Sequence, residues 1–431
     1  VTQLPAGWMP RGRGSWYHTA LLHSACPVVI TKNPMSAVER RSVAALALLY
    51  NVRMLGLFMV LPLLALYAVD VAGSTPALIG VALGAYGLTQ ACLQIPFGWL
   101  SDRIGRKPVI VGGLLVFAAG SVVAAMADSI QGIILGRALQ GAGAIASSVM
   151  ALVADLTSQE QRTKAMAVVG ASIGLAFALA LVLGPLLAGF GGLEAVFGVT
   201  AALALVGIVV VLWQVPDPPR SGIAHAEVGA RPRLLRTSLR NRALLRLDVG
   251  IFALHFVLMA SFQIVPGALE SVVGVAREDH WQVYLPAVLL SVLGILPLMR
   301  LAERGGRHHL VFLIAIAVLM VALALLGLAT SPWLFCMALW LFFVGFNYME
   351  AVLPSMVSKA VAPEAKGTAL GIFSTAQFLG IFAGGVAGGW VLQHYGIVGI
   401  TELCLVVVAV WMLVALPAPR PGHAGLPEAA P

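Results

Sequence analysis

Long apolar runs separated by short polar breaks make up almost the whole chain. Read between charged residues and Pro/Gly breaks, they fall near 43–67, 78–100, 108–127, 130–154, 165–189 and 195–215. A second set follows near 247–270, 281–300, 309–329, 332–357, 367–391 and 396–416. A helix rising 1.5 Å per residue needs about 20 residues to cross a hydrocarbon core of roughly 30 Å. The pattern therefore predicts an all-α membrane protein with twelve transmembrane helices, numbered here as spans one to twelve.

Composition removes the soluble alternatives. The 431 residues are 60% hydrophobic and 10% charged, against about 25% charged in soluble domains. The formal net charge is +8, but its placement carries more meaning than its sum and gives no reason to expect nucleic acid. If span one starts in the cytoplasm, the inner segments hold Arg40, Arg41, Arg103, Arg106, Lys107, Arg162, Lys164, Arg300, Arg304, Arg307, Lys359, Lys366 and Arg420, and the central loop adds Arg220 to Arg246. The outer loops hold Arg277 alone. Lys and Arg are retained on the cytoplasmic side during insertion, so both termini are expected there, in a bacterial inner membrane. Contact of the basic loop with anionic lipid is expected as well. The four cysteines, Cys26, Cys92, Cys336 and Cys404, have neither metal-ligand nor disulfide-framework spacing and read as packing residues.

The two sets of six echo each other. An offset of 201 lays Asp102–Arg106 over Glu303–Arg307, and an offset of 204 lays Asp155 over Lys359, Arg162 over Lys366 and Gly184 over Gly388. The expected organisation is an N-terminal cytoplasmic segment (1–42), a six-helix bundle (43–215), a basic linker (216–246), a second six-helix bundle (247–416) and a disordered tail (417–431). Duplicated halves rocking around a midplane site are the architecture of alternating-access transporters. Residues 1–34 carry no long apolar run and make no convincing signal peptide. Met35, followed by Ser-Ala-Val-Glu-Arg-Arg, is an expected alternative start.

Three motifs stand out. Gly98-Trp-Leu-Ser-Asp102-Arg103-Ile-Gly105-Arg106-Lys107-Pro108 lies where span two leaves the membrane. Gly98 and Gly105 permit close approach and a tight turn, and Asp102 can accept hydrogen bonds at a helix N-terminus. In span four, Arg137, Gln140, Gly141 and Ala144 share one helix face, and an arginine inside a span is a candidate functional residue. Gly141 to Ala146 also fits Gly-x-Gly-x-x-Ala, but no strand precedes it, so small-residue helix packing is the better reading. Span five carries Gly170-Ala-Ser-Ile-Gly174 and then Gly184-Pro185, where Pro185 removes a backbone hydrogen bond.

The first motif, its degenerate copy at Glu303–Arg307 and the span-four motif resemble the major facilitator superfamily, whose fold is two pseudo-symmetric six-helix bundles. That resemblance implies that Asp102 meets the start of span eleven near Gly367 and Thr368. It also implies that Arg106 pairs with Asp155, so that Gly98, Asp102, Arg103, Gly105, Arg106, Lys107 and Asp155 form a conformational latch. It further implies proton coupling for Arg137. Gly184 and Pro185 are similar to the antiporter signature of the drug:proton branch. Arg53–Pro62, Tyr86–Gln90, Ile133–Gln140 and Phe373–Gly380 resemble the YajR-like branch, some of whose members append a soluble C-terminal domain; none is expected here.

Polar residues within the spans outline a pathway: Asn51 and Arg53, Gln90 and Gln94, Gln140, His255 and Gln263, Asn347 and Glu350, and Gln377. Arg53, Arg137, His255 and Glu350 are the expected proton-coupling residues, with Glu350 the first choice as carrier because its carboxyl sits in apolar surroundings. Permanent ionisation as a partner of Arg53 or another cation is the alternative for Glu350, and a packing role is the alternative for His255. Phe58, Met59, Met259, Phe262, Phe346 and Tyr348 would suit amphipathic molecules and lipid equally.

The expected function is proton-coupled export of small amphipathic compounds by alternating access. Transport of a sugar or other metabolite is the alternative within the same superfamily, and a transport-inactive receptor is the remote one. No enzyme is expected, since no catalytic constellation, metal cluster or phosphate-binding loop appears. No cofactor is expected, the proton gradient supplying energy. The expected partners are a small-molecule substrate, protons and membrane lipids, with the chain a monomer.

Overall fold

The structure is a computed structural model that describes residues 35–217, 232–304, 306–362 and 365–417. The N-terminal segment 1–34, much of the basic linker, Gly305 of the degenerate copy and the tail from 418 lie outside the described residues. From Ala37 onward the described residues pack as one body.

Ten apolar helical segments are long enough to cross a membrane among the described residues. Two are double length: Gln159–Gln214, broken at Gly191 and Gly192, and Lys366–Ala415, broken at Gly396. Gly192 (φ 60°) and Gly396 (φ 67°) adopt left-handed backbone, a conformation that a side chain would disfavour. Each glycine break reverses the chain, so the ten segments make twelve crossings, as the hydrophobic pattern predicts. The helices extend past the apolar runs: span one is Ala37–Tyr67, span two Pro76–Ile104, span three Arg106–Ala125 and span ten Pro332–Lys359. Spans eight and nine are Trp281–Glu303 and His308–Leu328.

Helix starts have local causes. Thr75 and Ser331 accept hydrogen bonds from the backbone N–H of Leu78 and Leu334, and each is followed by proline at the first helical position. Span seven begins at Arg242, inside the stretch expected to be linker, because Asn241 caps Ala243 and helix forms ahead of the apolar run. A short helix, Pro232–Arg240, precedes it.

Two crossings are irregular. Span four comprises Ile130–Ala142 and Ala146–Asp155, interrupted at 143–145. Span seven, Arg242–Ser261, passes through a turn into Val265–Ala268 and a π-helical Leu269–Val273. Non-helical backbone at membrane depth is tolerated where protein surrounds it, and Arg53 donates to the Gly143 carbonyl at 3.2 Å.

The outer surface is apolar. Leu115, Leu135, Leu289, Leu293, Val321 and Leu413 are each more than half exposed, which a water-soluble protein avoids over a contiguous belt and a lipid-facing surface requires.

Spans two and eleven meet across the two halves and diverge along their length. At the end carrying the outer loops, a Cβ on Gly80 would collide with the Gly385 carbonyl; on Gly84 and Gly87 it would lie 2.8 and 2.6 Å from the carbonyls of Phe382 and Phe378. At the arginine-rich end, Gly98 meets Ser147 of its own half and Gly371 has open space. Spans five and eight repeat this: Gly189 approaches Glu278, whereas Gly170 and Gly174 face open space. The body is thus closed at one end and open at the arginine-rich end.

Candidate functional site

At the open end, spans two and three are joined by one residue, Gly105, whose φ of 102° suits glycine. This turn brings Arg106 back beneath span two. Arg106, 4% exposed, pairs with Asp102, holds Asp155 at 3.1 Å through Nε and donates to Ser101 Oγ at 2.7 Å. The contact between Arg106 and Asp155 implied by the resemblance is therefore present. Arg103 stacks over the Trp99 ring at 3.6 Å, and Lys107 reaches Asp217 at 2.9 Å. Asp102 faces Gly367 and Thr368 across a cleft also lined by Gln94, Gly98, Ser147 and Gly371. The two sides are apart, as the open end requires. In the degenerate copy, Glu303 and Arg307 make no ion pair among the described residues.

Deeper in the first half, Arg53 and Arg137 are each 1% exposed. Arg53 Nη2 donates to Tyr86 Oη (3.1 Å), Gln90 Oε1 (2.9 Å) and the Gly143 carbonyl, and Gln90 reaches Gln94 at 3.5 Å. Arg137 donates to Gln140 (2.8 Å) and the Ala82 carbonyl (3.4 Å), and Gln140 donates to Ser121 (2.8 Å). Tyr86 joins the two systems: its hydroxyl accepts from Arg53 and its ring lies 5.1 Å from the Arg137 guanidinium. Neither arginine has a carboxylate partner among the described residues. Asn51 stands apart, bonded to the Ser172 carbonyl at 2.7 Å, which ties span one to span five.

The second half gathers a different set. His255 of span seven, Glu350 of span ten and Gln377 of span eleven form one cluster. His255 Nδ1 lies 3.2 Å from the Ile251 carbonyl, which places its proton there and leaves Nε2 to accept from Gln377 at 2.8 Å. Gln377 also donates to Glu350 Oε1 at 3.4 Å, and Glu350 Oε2 is 3.8 Å from His255 Nε2. The His255 side chain is 7% exposed and that of Glu350 is 38% exposed. Asn347 lies one turn along the Glu350 face and donates to Ser291 of span eight at 2.9 Å. Among the described residues Glu350 makes no ion pair or hydrogen bond with Arg53, Tyr86, Gln90 or Gln94.

Three expected pathway and motif residues sit elsewhere. Gln263 donates to the carbonyls of Gly384 (3.4 Å) and Gly385 (3.1 Å) and staples span seven to span eleven at the closed end. Gly184 gives span five its close approach to span one, where a Cβ would lie 3.1 Å from the Met59 carbonyl; Pro185 follows within the helix. Above the cluster, Phe58–Phe177–Phe343 and Phe343–Phe262 ring contacts cross from first half to second. Phe342 and Phe346 continue this layer to His255. Among the described residues no group of His, Cys, Asp and Glu could hold a metal ion.

This arrangement has relatives. A 47% identical protein, the inner membrane transport protein YajR of Escherichia coli K12, aligns over 88% of this chain and 84% of its own length. The multidrug resistance protein MdtH of Aeromonas salmonicida is 27% identical over 82% of this chain and 91% of its own. Among solved structures, the human organic anion transporter MFSD10 superposes with a TM-score of 0.62 at 20% identity, covering 88% of this chain and 99% of that one. A bacterial homologue of the human lysosomal transporter Spinster gives 0.68 at 14% identity over 89% and 96%. The sequence profile of the Major Facilitator Superfamily matches residues 46–291 and 251–431. Two halves that close at one end and part at the other are what that fold provides, and the chain belongs to the Major Facilitator Superfamily.

Proposed function

We propose that the chain is a proton-coupled secondary transporter that exports small amphipathic compounds across a bacterial inner membrane, with its arginine-rich end and both termini in the cytoplasm. The observation that carries this reading is the His255–Gln377–Glu350 cluster. It joins three spans of one half by side-chain contacts, combines a carboxyl with an imidazole, and keeps the carboxyl partly exposed while the histidine is enclosed. Such a pair can take up and release a proton as its access changes, the requirement for coupling to a gradient. The similarity to YajR and MdtH supports membrane transport and, through MdtH, drug efflux. The aromatic layer, largely buried between the halves, would present an apolar surface beside the cluster once the halves part, which suits a compound with an apolar body and a polar or cationic end.

In this reading the basic end is open to the cytoplasm, and closure would bring Asp102 to the start of span eleven, where the helix dipole favours an anion. Arg137, Gln140, Arg53, Gln90 and Gln94 form the polar spine of the first half against which the second half moves. No cofactor takes part, no catalytic step is assigned, and the monomer is the working unit.

The test is a liposome reconstitution with an internal pH dye and no imposed gradient, screening cationic dyes and antibiotics for substrate-triggered proton movement. Proton flux that is lost in Glu350→Gln is the expected result. Flux unchanged in the mutant would remove Glu350 from the coupling path, and silence across the screen in favour of metabolite transport would remove the drug reading.

A further inference from the structure

The loops at the closed end carry a single basic residue, Arg277, and neither the cleft nor the latch at the other end accounts for it. It lies in the short turn Arg277–Asp279 that leads into span eight. Arg277 Nε donates to Glu270 Oε1 at 2.6 Å, within its own half. The remainder of the guanidinium reaches the first half: Nη1 lies 3.5 Å from the Leu66 carbonyl and 3.8 Å from Asp70 Oδ2, and the guanidinium carbon is 5.5 Å from the Tyr67 ring centroid. Leu66 and Tyr67 end span one, and Asp70 closes the short turn that follows it.

A lone exposed ion pair contributes little. Here a carboxylate fixes the plane of the guanidinium from one side, and a carbonyl, an aromatic ring and a second carboxylate meet it from the other. That use of several donors and a π face at once suits arginine and not lysine. The same turn brings Glu278 against Gly189 of span five, and Gln393 of span eleven accepts the Ala77 N–H of span two at 3.2 Å. The polar contacts between halves at this end are therefore made, while Asp102 and Thr368 face each other across an open cleft at the other.

We propose that Arg277 is the latch of the closed end, engaged while the arginine-rich end is open and released when that end shuts. The two ends are then held by separate locks that work in alternation: Arg277 on the end of span one, and Asp102 on the start of span eleven. The inference rests on the alternating-access reading above. It also explains a cation retained where topology disfavours one, since the opening of this end requires span one to leave Arg277.

The experiment is pulsed electron–electron spin distance measurement in lipid vesicles, in a background whose four native cysteines are replaced by alanine. One label pair, Val69 and Ser271, spans the closed end; the other, Ile104 and Lys359, spans the open end. All four sites are exposed. The variants are Arg277→Glu, which sets like charges against Glu270 and Asp70, and Asp70→Asn, a near-isosteric change at a side chain that is 80% exposed. In both, the long-distance population of the first pair and the short-distance population of the second are expected to rise together, several-fold in Arg277→Glu and less in Asp70→Asn. Distributions identical to wild type in both variants would overturn the latch alone. Wild-type distances that never change in opposite senses, under any substrate or pH tested, would overturn the alternating-access reading and the latch with it.

Discussion

Arg106 is held by Asp102, Asp155 and Ser101 while almost wholly buried, so its removal leaves Asp155, 6% exposed, without a cation. Removing one partner of such a buried pair costs about 3–5 kcal/mol. Arg106→Ala is therefore expected to lower the thermal unfolding midpoint in detergent markedly. Arg106→Lys should recover only part of the loss, because a point charge cannot face two carboxylates and a hydroxyl at once. Lys107 is the internal control: its partner Asp217 is 87% exposed, and Lys107→Ala is expected to cost no more than about 1 kcal/mol. An Arg106→Ala protein as stable as the Lys107→Ala protein would contradict the burial argument. The charged members of these clusters were legible in the chain, because a charge inside or beside an apolar run needs a reason. Some of their neutral partners were not. Ser101, Ser121, Ser291 and Tyr86 are short or aromatic side chains that read as packing, and only their positions beside Arg106, Gln140, Asn347 and Arg53 reveal them as partners.

Between elements, the seam of spans two and eleven depends on glycine spacing. Gly80→Ala is expected to force Gly385 away, and overpacking of this kind costs about 1–3 kcal/mol. Gly371→Ala enters open space, so it should be neutral or gain up to about 1 kcal/mol of helix propensity. Comparing the two by thermal unfolding separates a packed end from an open one; equal effects would deny the divergence of the two spans. The spans themselves were legible because each apolar run is long enough to cross a bilayer, and the caps at Thr75 and Ser331 mark two of the starts. The interruption of span four at 143–145 was not legible, since Gly143, Ala144 and Ile145 carry neither charge nor proline. Its cause is tertiary: Gly143 abuts the Gly113 carbonyl and Arg53 takes up the freed carbonyl. Likewise Gln263 looked like a pathway residue because it is polar within a span, yet it serves as a staple between spans seven and eleven. Periodicity gives the face of a helix and not the neighbour it meets.

Across the whole molecule, the polar groups divide by half. The first half holds two buried arginines joined by Tyr86; the second holds the carboxyl and imidazole joined by Gln377. The aromatic contacts from Phe177 to Phe343 lie between the halves. The sequence repeat anticipated two bundles, and the pairing of residues 122 apart, such as His255 with Gln377, needed the fold to bring them together. In this account the second half handles the proton while the first half supplies the fixed positive frame. The measurement that tests it most directly is made in proteoliposomes with one substrate and two modes, comparing wild type with Glu350→Gln. Wild type should exchange substrate at equal pH and also accumulate it against its gradient when a pH difference is imposed. Glu350→Gln should keep the exchange and lose the uphill accumulation, because binding and rocking survive while the proton has no carrier. Uphill accumulation that persists in Glu350→Gln, or a wild type indifferent to the pH difference, would contradict it.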